Sequence, residues 1–273
     1  GAKPVFADIE ETTFGLDPED VIERITPKTR AIMPVHYGGC PCRIQELRGI
    51  ADDHNLILVE DAAEAFGAAI GGRKVGTFGD SAMMSFCQNK IITTGEGGAI
   101  VTDSRDVYER MKLIRSHGRL ETADYFSTTA VMDYVSLGYN FRMSNLTAAL
   151  GVAQLNKVEE IIRMRRADAA YYIQCLKAEV PDCTIPELPE DFFHVYQLFS
   201  IRVKDRDALM RYLESKGIMT KIYFSPVHST HFYRSQVSGS YNLPITEKVA
   251  DDTLSLPFYP GISRDDIDSV IDS

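Results

Sequence analysis

The sequence has few cysteines and no cysteine framework. Five cysteines occur in 273 residues, an odd number scattered through a chain that has ample apolar residues for a core. Cys40 and Cys42 form a Cys-x-Cys pair, but no second Cys or His pair follows at the spacing of a zinc site. We therefore predict neither a disulfide scaffold nor a bound metal, and we treat Cys87 as a core thiol.

Two further absences restrict the partners. The net charge is -10, and the chain has no basic cluster that could neutralise a phosphate backbone, so we expect no nucleic-acid partner. No apolar run approaches the length that spans a bilayer, and the opening GAKPVFADIE contains no signal-peptide core. We expect a soluble, cytoplasmic chain with no membrane partner. Because the sequence starts at Gly1, directly before a strand-like run, we expect it not to be a complete gene product.

What the sequence does contain is an alternation of strand and helix patterns. Apolar runs in PVFADI, TRAIMPVHY, LILVEDAA, SAMMSF and GGAIVTD predict strands. Amphipathic patterns in LDPEDVIERI and IQELRGIADDHN predict helices between them. This rhythm predicts an α/β domain with a mostly parallel sheet that is covered by helices on both faces. Ligands of such domains bind at the carboxyl ends of the strands.

The second half of the chain follows a different pattern. Residues 157–180 form a long amphipathic segment, which we interpret as a connecting helix; the alternative is a helix on the surface of the first domain. After a proline-rich linker, VYQLFSIRV and MTKIYF predict strands, and DRDALMRYLESKGI and SRDDIDSVID predict helices. We predict a large domain at 1–156, followed by the connecting helix and a small α+β domain at 157–273.

Polar side chains follow two of the apolar strands. LILVEDAA contains Glu60 and Asp61, which are costly to bury without a partner, although Asp61 could instead cap a helix. SAMMSFCQNK ends at Lys90, before a glycine-rich bend, and contains Ser85. If the two strands are neighbours, Asp61, Ser85 and Lys90 face one crevice. A carboxylate, a hydroxyl and an amine are what pyridoxal phosphate requires for its ring nitrogen, its phosphate and its Schiff base.

Several motifs in chain order point to one family: VEDAAEAFGA, VGTFGD, SFCQNKIITTGEGG, GYNFRMSNLTAA and LSLPFYPGIS. Together they resemble the DegT/DnrJ/EryC1/StrS family of nucleotide-sugar aminotransferases, and the match runs from the first residues to the last. The resemblance implies the fold of type I pyridoxal phosphate enzymes, like that of aspartate aminotransferase, with a small C-terminal α+β domain.

The resemblance also implies roles for individual residues. Lys90 matches the lysine that carries the cofactor covalently and moves a proton between the cofactor and the substrate. Asp61 matches the acid that pairs with the pyridine nitrogen, and Ala63 matches the small residue under the ring. Glu64 stands where the family usually has glutamine, near the phenolic oxygen of the ring, so its role depends on its protonation. Ser85 matches a hydroxyl that binds the phosphate.

Further residues concern the neighbouring subunit and the substrate. Asn140 matches the residue that reaches the phosphate in the neighbouring subunit, which implies a homodimer with shared active sites. Arg142 is a candidate for binding the carboxylate of the amino donor, and His228 for contacting the sugar. A solvated charge and a packing histidine are the alternatives for these two. We expect His36 to serve packing.

By resemblance, the chain is a ping-pong aminotransferase that moves an amino group from glutamate to a nucleotide-linked keto-deoxysugar. QNKIITTGEGG is most similar to the perosamine-synthase-like branch, which favours a 4-keto-6-deoxyhexose. Sugar dehydratases of the family, which use pyridoxamine phosphate, replace the lysine with histidine, so Lys90 argues against that activity. A non-catalytic or regulatory relative is the other alternative.

The resemblance implies one further expectation, which concerns cofactor affinity. Members of the family carry about a hundred more residues at the amino end. These include the first strand, a phosphate-binding turn and an aromatic residue that stacks on the ring. We therefore expect the 273 residues alone to bind pyridoxal phosphate weakly.

Overall fold

The computed structural model describes residues 1–120, 129, 131–236 and 241–273. The helices in this part of the chain are α1 (Pro18–Arg24), α2 (Ile44–Asp53), α3 (Arg105–Arg115), α4 (Asn145–Leu155), α5 (Val158–Glu179), α6 (Arg206–Ser215), α7 (His231–Gln236), α8 (Pro244–Asp252) and α9 (Arg264–Ile271). The strands are β1 (Ala31–Ile32), β2 (Ile57–Asp61), β3 (Ala69–Ile70), β4 (Arg73–Lys74), β5 (Ser81–Ser85), β6 (Gly98–Val101), β7 (Phe192–Phe193), β8 (Ser200–Arg202) and β9 (Thr253–Ser255). Short 3-10 turns lie at Tyr37–Gly39 and Val227–Ser229.

The largest sheet of the described residues has the order β1-β2-β5-β6. β2 pairs in parallel with both β1 and β5, and β6 runs antiparallel to β5. Asp61 lies opposite Met83, so the carboxyl ends of β2 and β5 meet at one edge of the sheet. The predicted neighbouring strands are therefore confirmed.

Apolar spacing places helices α1 and α2 on this sheet. Asp17 accepts the backbone N–H of Glu19 at 3.0 Å and begins α1, as its side chain and the following proline predict. The buried positions of α2, spaced by three and four residues, turn one face of the helix towards Leu58 of β2. This packing gives the sheet a cover over β1 and β2.

Helix α5 connects two clusters of buried residues. Ile162, near its start, packs with Val75, Ile91 and other residues around β2 and β5. Tyr172 and Leu176, about three and four turns later, pack in the second cluster, which includes residues of β8, α6, β9 and α9. Helix α5 thus contacts both clusters, while the division into a large domain at 1–156 and a connecting helix with a small domain at 157–273 stays a prediction.

Two segments with strand-like sequences form less strand than we predicted. Residues 4–9 make only a bridge between Ile9 and Leu16, and Lys221 of MTKIYF makes only a bridge to Ser255. The first segment instead contacts the end of the chain, because the carboxylate of Asp8 accepts the backbone N–H groups of Ile245 and Thr246 at the start of α8. Within the described ranges, no helix has both the length and the apolar content that crossing a membrane requires.

The buried carboxylate of Glu60 joins β2 to the glycine turn of VGTFGD. It accepts the backbone N–H groups of Gly76, Phe78 and Gly79 at 2.6, 2.7 and 2.6 Å, and it contacts His36 Nε2 at 3.0 Å. Burial by itself raises the pKa of Glu60, but the hydrogen bonds from His36 and the turn outweigh it and lower the pKa below its ordinary value. Backbone donors, with His36, therefore replace the cationic partner that the sequence led us to expect.

Glu60→Gln should destabilise the fold, because its amide NH2 cannot accept a backbone N–H. We expect the free energy of unfolding at pH 7, measured with urea, to fall by about 2 kcal/mol. Since the folded-state pKa is depressed, the stabilisation is complete above the ordinary value of 4.5 and is lost as the pH falls through the folded-state pKa. The difference in the free energy of unfolding between the native chain and Glu60→Gln should therefore become smaller in acid.

The control is Glu46→Gln, which removes the exposed partner of Arg43 on α2. Exposed ion pairs contribute little, so we expect a change below about 0.5 kcal/mol. Equal losses in the two variants, or a Glu60→Gln loss that does not depend on pH, would contradict the role given to Glu60.

Candidate active site

Asp61 ends β2 at the edge where the parallel strands finish. Its backbone N–H donates to Pro34 O at 2.9 Å, and its carbonyl accepts from His36 N at 3.0 Å. The side-chain Oδ1 accepts the N–H of Ala63 at 3.0 Å. Residues 62–67 form turns and no helix, so the helix-cap alternative for Asp61 is wrong. Local hydrogen bonds thus hold this half-buried carboxylate at the strand end.

Lys90 and Glu64 form an ion pair beside this edge. Lys90 Nζ lies 3.2 Å from Glu64 Oε1, and the two side chains are 15% and 11% exposed. The other carboxylate oxygen of Glu64, Oε2, accepts the backbone N–H of Gly38 at 2.9 Å. The lysine therefore contacts the residue three positions beyond Asp61.

Ser85 ends β5 on the same face of the sheet as Asp61. Asp61 is in register with Met83, and Ser85 follows Met83 by two residues, so alternation places the three side chains on one face. Ser85 Oγ accepts the backbone N–H of Cys87 at 3.3 Å. A turn closed by Lys90 N and Cys87 O, 3.1 Å apart, then carries the chain to Lys90.

A loop that the sequence patterns did not predict supports the Lys90–Glu64 pair from the other side. The carbonyls of Gly38 and Gly39 accept the N–H groups of Leu198 and Val195, each at 3.0 Å. The side-chain amide of Gln197 donates to the carbonyl of Asn89, the residue before Lys90. The two glycines after MPVHY could have indicated this loop. A lone glutamine within a predicted strand gives no indication of such a contact.

Tyr37 lies on the same loop, next to Gly38. Its hydroxyl donates to the carbonyl of Tyr223. Burial raises the pKa of Tyr37, and the nearby charge of Glu64 raises it further, so the phenol stays protonated at neutral pH.

Three sequence-predicted residues lie outside this cluster. The Oδ1 of Asn140, which is exposed, accepts from Arg142 Nε at 3.2 Å. His228 Nε2 contacts Glu247 Oε1 at 3.1 Å. Within the part of the chain that the structure describes, none of the three contacts Lys90, Asp61 or Glu64. Their assigned roles, like those of the clustered residues, stay predictions.

The clustered residues fit pyridoxal phosphate. Glu64 is the one carboxylate paired with Lys90 among the described residues. Asp61 Oδ2 accepts no hydrogen bond from these residues, and the Ser85 hydroxyl has no acceptor among them. These groups match what the cofactor requires. It needs an amine for its aldehyde, a carboxylate with an unused oxygen for its ring nitrogen, and a hydroxyl with an unused proton for its phosphate.

Comparisons with known proteins agree with this chemistry. The model of the DegT/DnrJ/EryC1/StrS aminotransferase family matches residues 1–273. The GDP-perosamine synthase of Vibrio cholerae is 38% identical over 275 residues, which are 99% of this chain and 72% of that protein. DesV of S. venezuelae, solved with a ketimine intermediate, is 35% identical with a TM-score of 0.90, covering 100% of this chain and 71% of that one. DesI, solved in the presence of its TDP-sugar product, is 36% identical with a TM-score of 0.87. The match covers 98% of this chain and 67% of that one. These similarities confirm the predicted family and fold class.

Gly39→Ala tests the loop that supports Glu64. Gly39 has φ +93°, and a Cβ there would lie 2.7 Å from Gln197 N and 2.9 Å from Val195 Cγ2. We expect a loss of about 2 kcal/mol or more in the free energy of unfolding, measured with urea. The matched control is Gly49→Ala on α2, where a Cβ meets no heavy atom within 4 Å. That change should stabilise the chain by about 0.5–1 kcal/mol, and a similar change at both positions would contradict the proposed constraint.

Proposed function

Because the chain belongs to the DegT/DnrJ/EryC1/StrS aminotransferase family, we propose that it moves an amino group from glutamate to a nucleotide-linked keto-deoxysugar, with pyridoxal phosphate held by Lys90. The observation that carries this proposal is the sheet edge itself, where Asp61 and Ser85 end adjacent parallel strands and Lys90 follows. Ligands of parallel sheets bind at this edge.

Each residue of the cluster has a task in this reaction. When bound, pyridoxal phosphate supplies an electron sink that allows the amino-bearing carbon of a substrate to lose and regain a proton. Lys90 holds the cofactor through Nζ and carries that proton at the same atom. Asp61 keeps the pyridine nitrogen protonated, and the Ser85 hydroxyl donates to the phosphate. Ala63 leaves space for the ring because its side chain ends at Cβ.

The named relatives support a nucleotide-linked 4-keto-6-deoxyhexose as the amino acceptor. The Vibrio cholerae relative is named for GDP-perosamine, and DesI was solved with a TDP-sugar product. Glutamate as the donor is part of the proposal, with Arg142 as the group that binds its carboxylate and His228 as a contact to the sugar. Arg142 suits this role because its guanidinium is exposed and contacts only Asn140 and His117 among the described residues.

We also propose a homodimer with shared active sites, in which Asn140 reaches the phosphate bound by the partner. Asn140 lies in a stretch with unusually exposed apolar side chains. Leu137, Phe141 and Leu146 are 80%, 67% and 86% exposed. Exposed apolar patches of this kind are typical of protein interfaces. A cytoplasmic location remains a prediction from the sequence.

Covalent trapping tests the cofactor assignment. Borohydride reduction with excess pyridoxal phosphate, followed by peptide mass mapping, should place the pyridoxyl group on Lys90. Lys90→Arg keeps a positive charge beside Glu64 but cannot form the Schiff base, so the label at this position should disappear. Lys74, whose amine donates to Gly67 O at 2.8 Å, reports non-specific labelling in the same map. Labelling mainly at another residue would overturn the assignment.

Transfer of ¹⁵N from glutamate to a panel of GDP- and TDP-linked keto-sugars tests the reaction. We expect a 4-keto-6-deoxyhexose to be the best acceptor. Asp61→Asn should lower the rate at least about 100-fold, because the positive charge at the pyridine nitrogen loses its counter-charge. The control Asp53→Asn changes an exposed carboxylate on α2 and should leave the rate unchanged. Equal rates in the two variants would contradict the role of Asp61, and no transfer to any keto-sugar would contradict the proposed substrate class.

A further inference from the structure

We propose that Glu64 is the resident counter-ion of Lys90, which holds the lysine as an ammonium and suppresses its reaction with carbonyl compounds until one proton moves to the carboxylate. The role of Lys90 as the residue that captures an aldehyde rests on the proposed function. The ion pair itself rests only on the geometry of the described residues.

The geometry of the pair is specific. Glu64 Oε1 faces Lys90 Nζ at 3.2 Å, while Oε2 is fixed by the N–H of Gly38 at 2.9 Å. The backbone of Gly38 is itself held through its carbonyl by Leu198 N. The carboxylate therefore presents one oxygen to the amine and cannot rotate away without losing a backbone hydrogen bond.

Burial makes this pair different from the other lysine–carboxylate contacts among the described residues. Lys177 and Glu187 are separated by nearly the same distance, 3.1 Å, but they are 61% and 84% exposed. Solvent screens such an exposed pair, whereas the Lys90–Glu64 pair lies in surroundings that screen less. The attraction between Lys90 and Glu64 is therefore screened less by solvent than the attraction between Lys177 and Glu187.

An ammonium has no lone pair and does not attack a carbonyl carbon. Before the C–N bond forms, Lys90 must pass one proton to Glu64 Oε1, which leaves a neutral amine and a neutral acid. The remaining two protons on the nitrogen leave with the carbonyl oxygen as water when the C=N bond forms. The step thus consumes an ion pair and yields a protonated Glu64, with no further reactant.

Other titratable groups surround the pair and stay constant in the test. Asp61 lies on β2, the phenol of Tyr37 lies near Glu64, and the Tyr37 hydroxyl donates to the carbonyl of Tyr223. The charge of Glu64 contributes to the raised pKa of Tyr37 after burial, which places the carboxylate close to the phenol. None of these side chains is changed in the variants below.

Trace acetylation with isotopically labelled acetic anhydride measures the neutral amine fraction of each lysine, read by peptide mass spectrometry on the cofactor-free chain. At pH 7, we expect Glu64→Gln to raise the labelling rate of Lys90 about tenfold, which corresponds to about 1.4 kcal/mol. Glu64→Asp, which keeps the charge, should stay closer to the native rate. The matched control Glu187→Gln should change the rate of Lys177 by less than about twofold, because that pair is exposed.

A pH series separates the counter-ion effect from simple opening of the site. Lysine amines are mostly neutral above about pH 10.4, so the ratio of the Glu64→Gln rate to the native rate should fall towards one as the pH approaches that value. A ratio that stays constant with pH indicates altered access and would overturn the proposal, as would an unchanged rate at pH 7. Far-ultraviolet circular dichroism of Glu64→Gln reports whether the variant is folded.

The outcome is independent of the proposed reaction. Acetylation uses no cofactor, so failure of borohydride trapping at Lys90 would contradict the proposed function and leave the ion-pair result in place. Conversely, trapping at Lys90 with equal acetylation rates in the native chain and Glu64→Gln would contradict the counter-ion role alone.

Discussion

A buried carboxylate must have its hydrogen-bonding capacity satisfied, and at Glu60 this requirement shapes the sheet edge that carries the candidate site. The backbone N–H groups of the VGTFGD turn and the ring of His36 meet it, which ties β2 to two other segments. Asp61 is the next residue, and its side chain points to the opposite face of the strand. The strand end that carries Asp61 is therefore held by hydrogen bonds of Glu60, which lie on the other face of the strand from Asp61.

A second set of contacts links His36 and the Gly38–Gly39 loop to the surroundings of Lys90. His36 precedes the Gly38–Gly39 loop, and Gly38 binds Glu64 on one side while accepting from the 195–198 segment on the other. Gln197 in that segment also contacts the residue before Lys90. Because α5 packs against both buried clusters, the two halves of the chain meet around the lysine. Glu64 is thus held between parts of the chain that lie far apart in sequence.

Glu64 places a carboxylate oxygen 3.2 Å from the amine of Lys90. Under the counter-ion proposal, this carboxylate lowers the reactivity of Lys90 with carbonyl compounds without blocking access to it. Glutamine would offer the same shape but no negative charge and no basic oxygen for the ammonium proton. The choice of an acid at this position therefore concerns proton placement as well as shape.

Local sequence patterns were enough to predict several helices and to suggest the candidate site. Residue spacing predicted α1, α2 and the long α5 close to their observed bounds, because capping residues and apolar periodicity act over a few residues. Asp61 and Ser85 lie at strand ends, and Lys90 follows shortly after the second strand. These positions led to the cofactor hypothesis because they, too, can be recognised within short stretches of sequence. Residues 4–9 and MTKIYF failed as strands because pairing depends on partners that lie far along the chain. Only the tertiary structure decided that backbone groups satisfy Glu60, that Gly38 and Gln197 support the site, and that Glu64 pairs with Lys90. Each of these contacts joins segments that are distant in sequence, and their geometry is set by packing, which residue spacing does not encode.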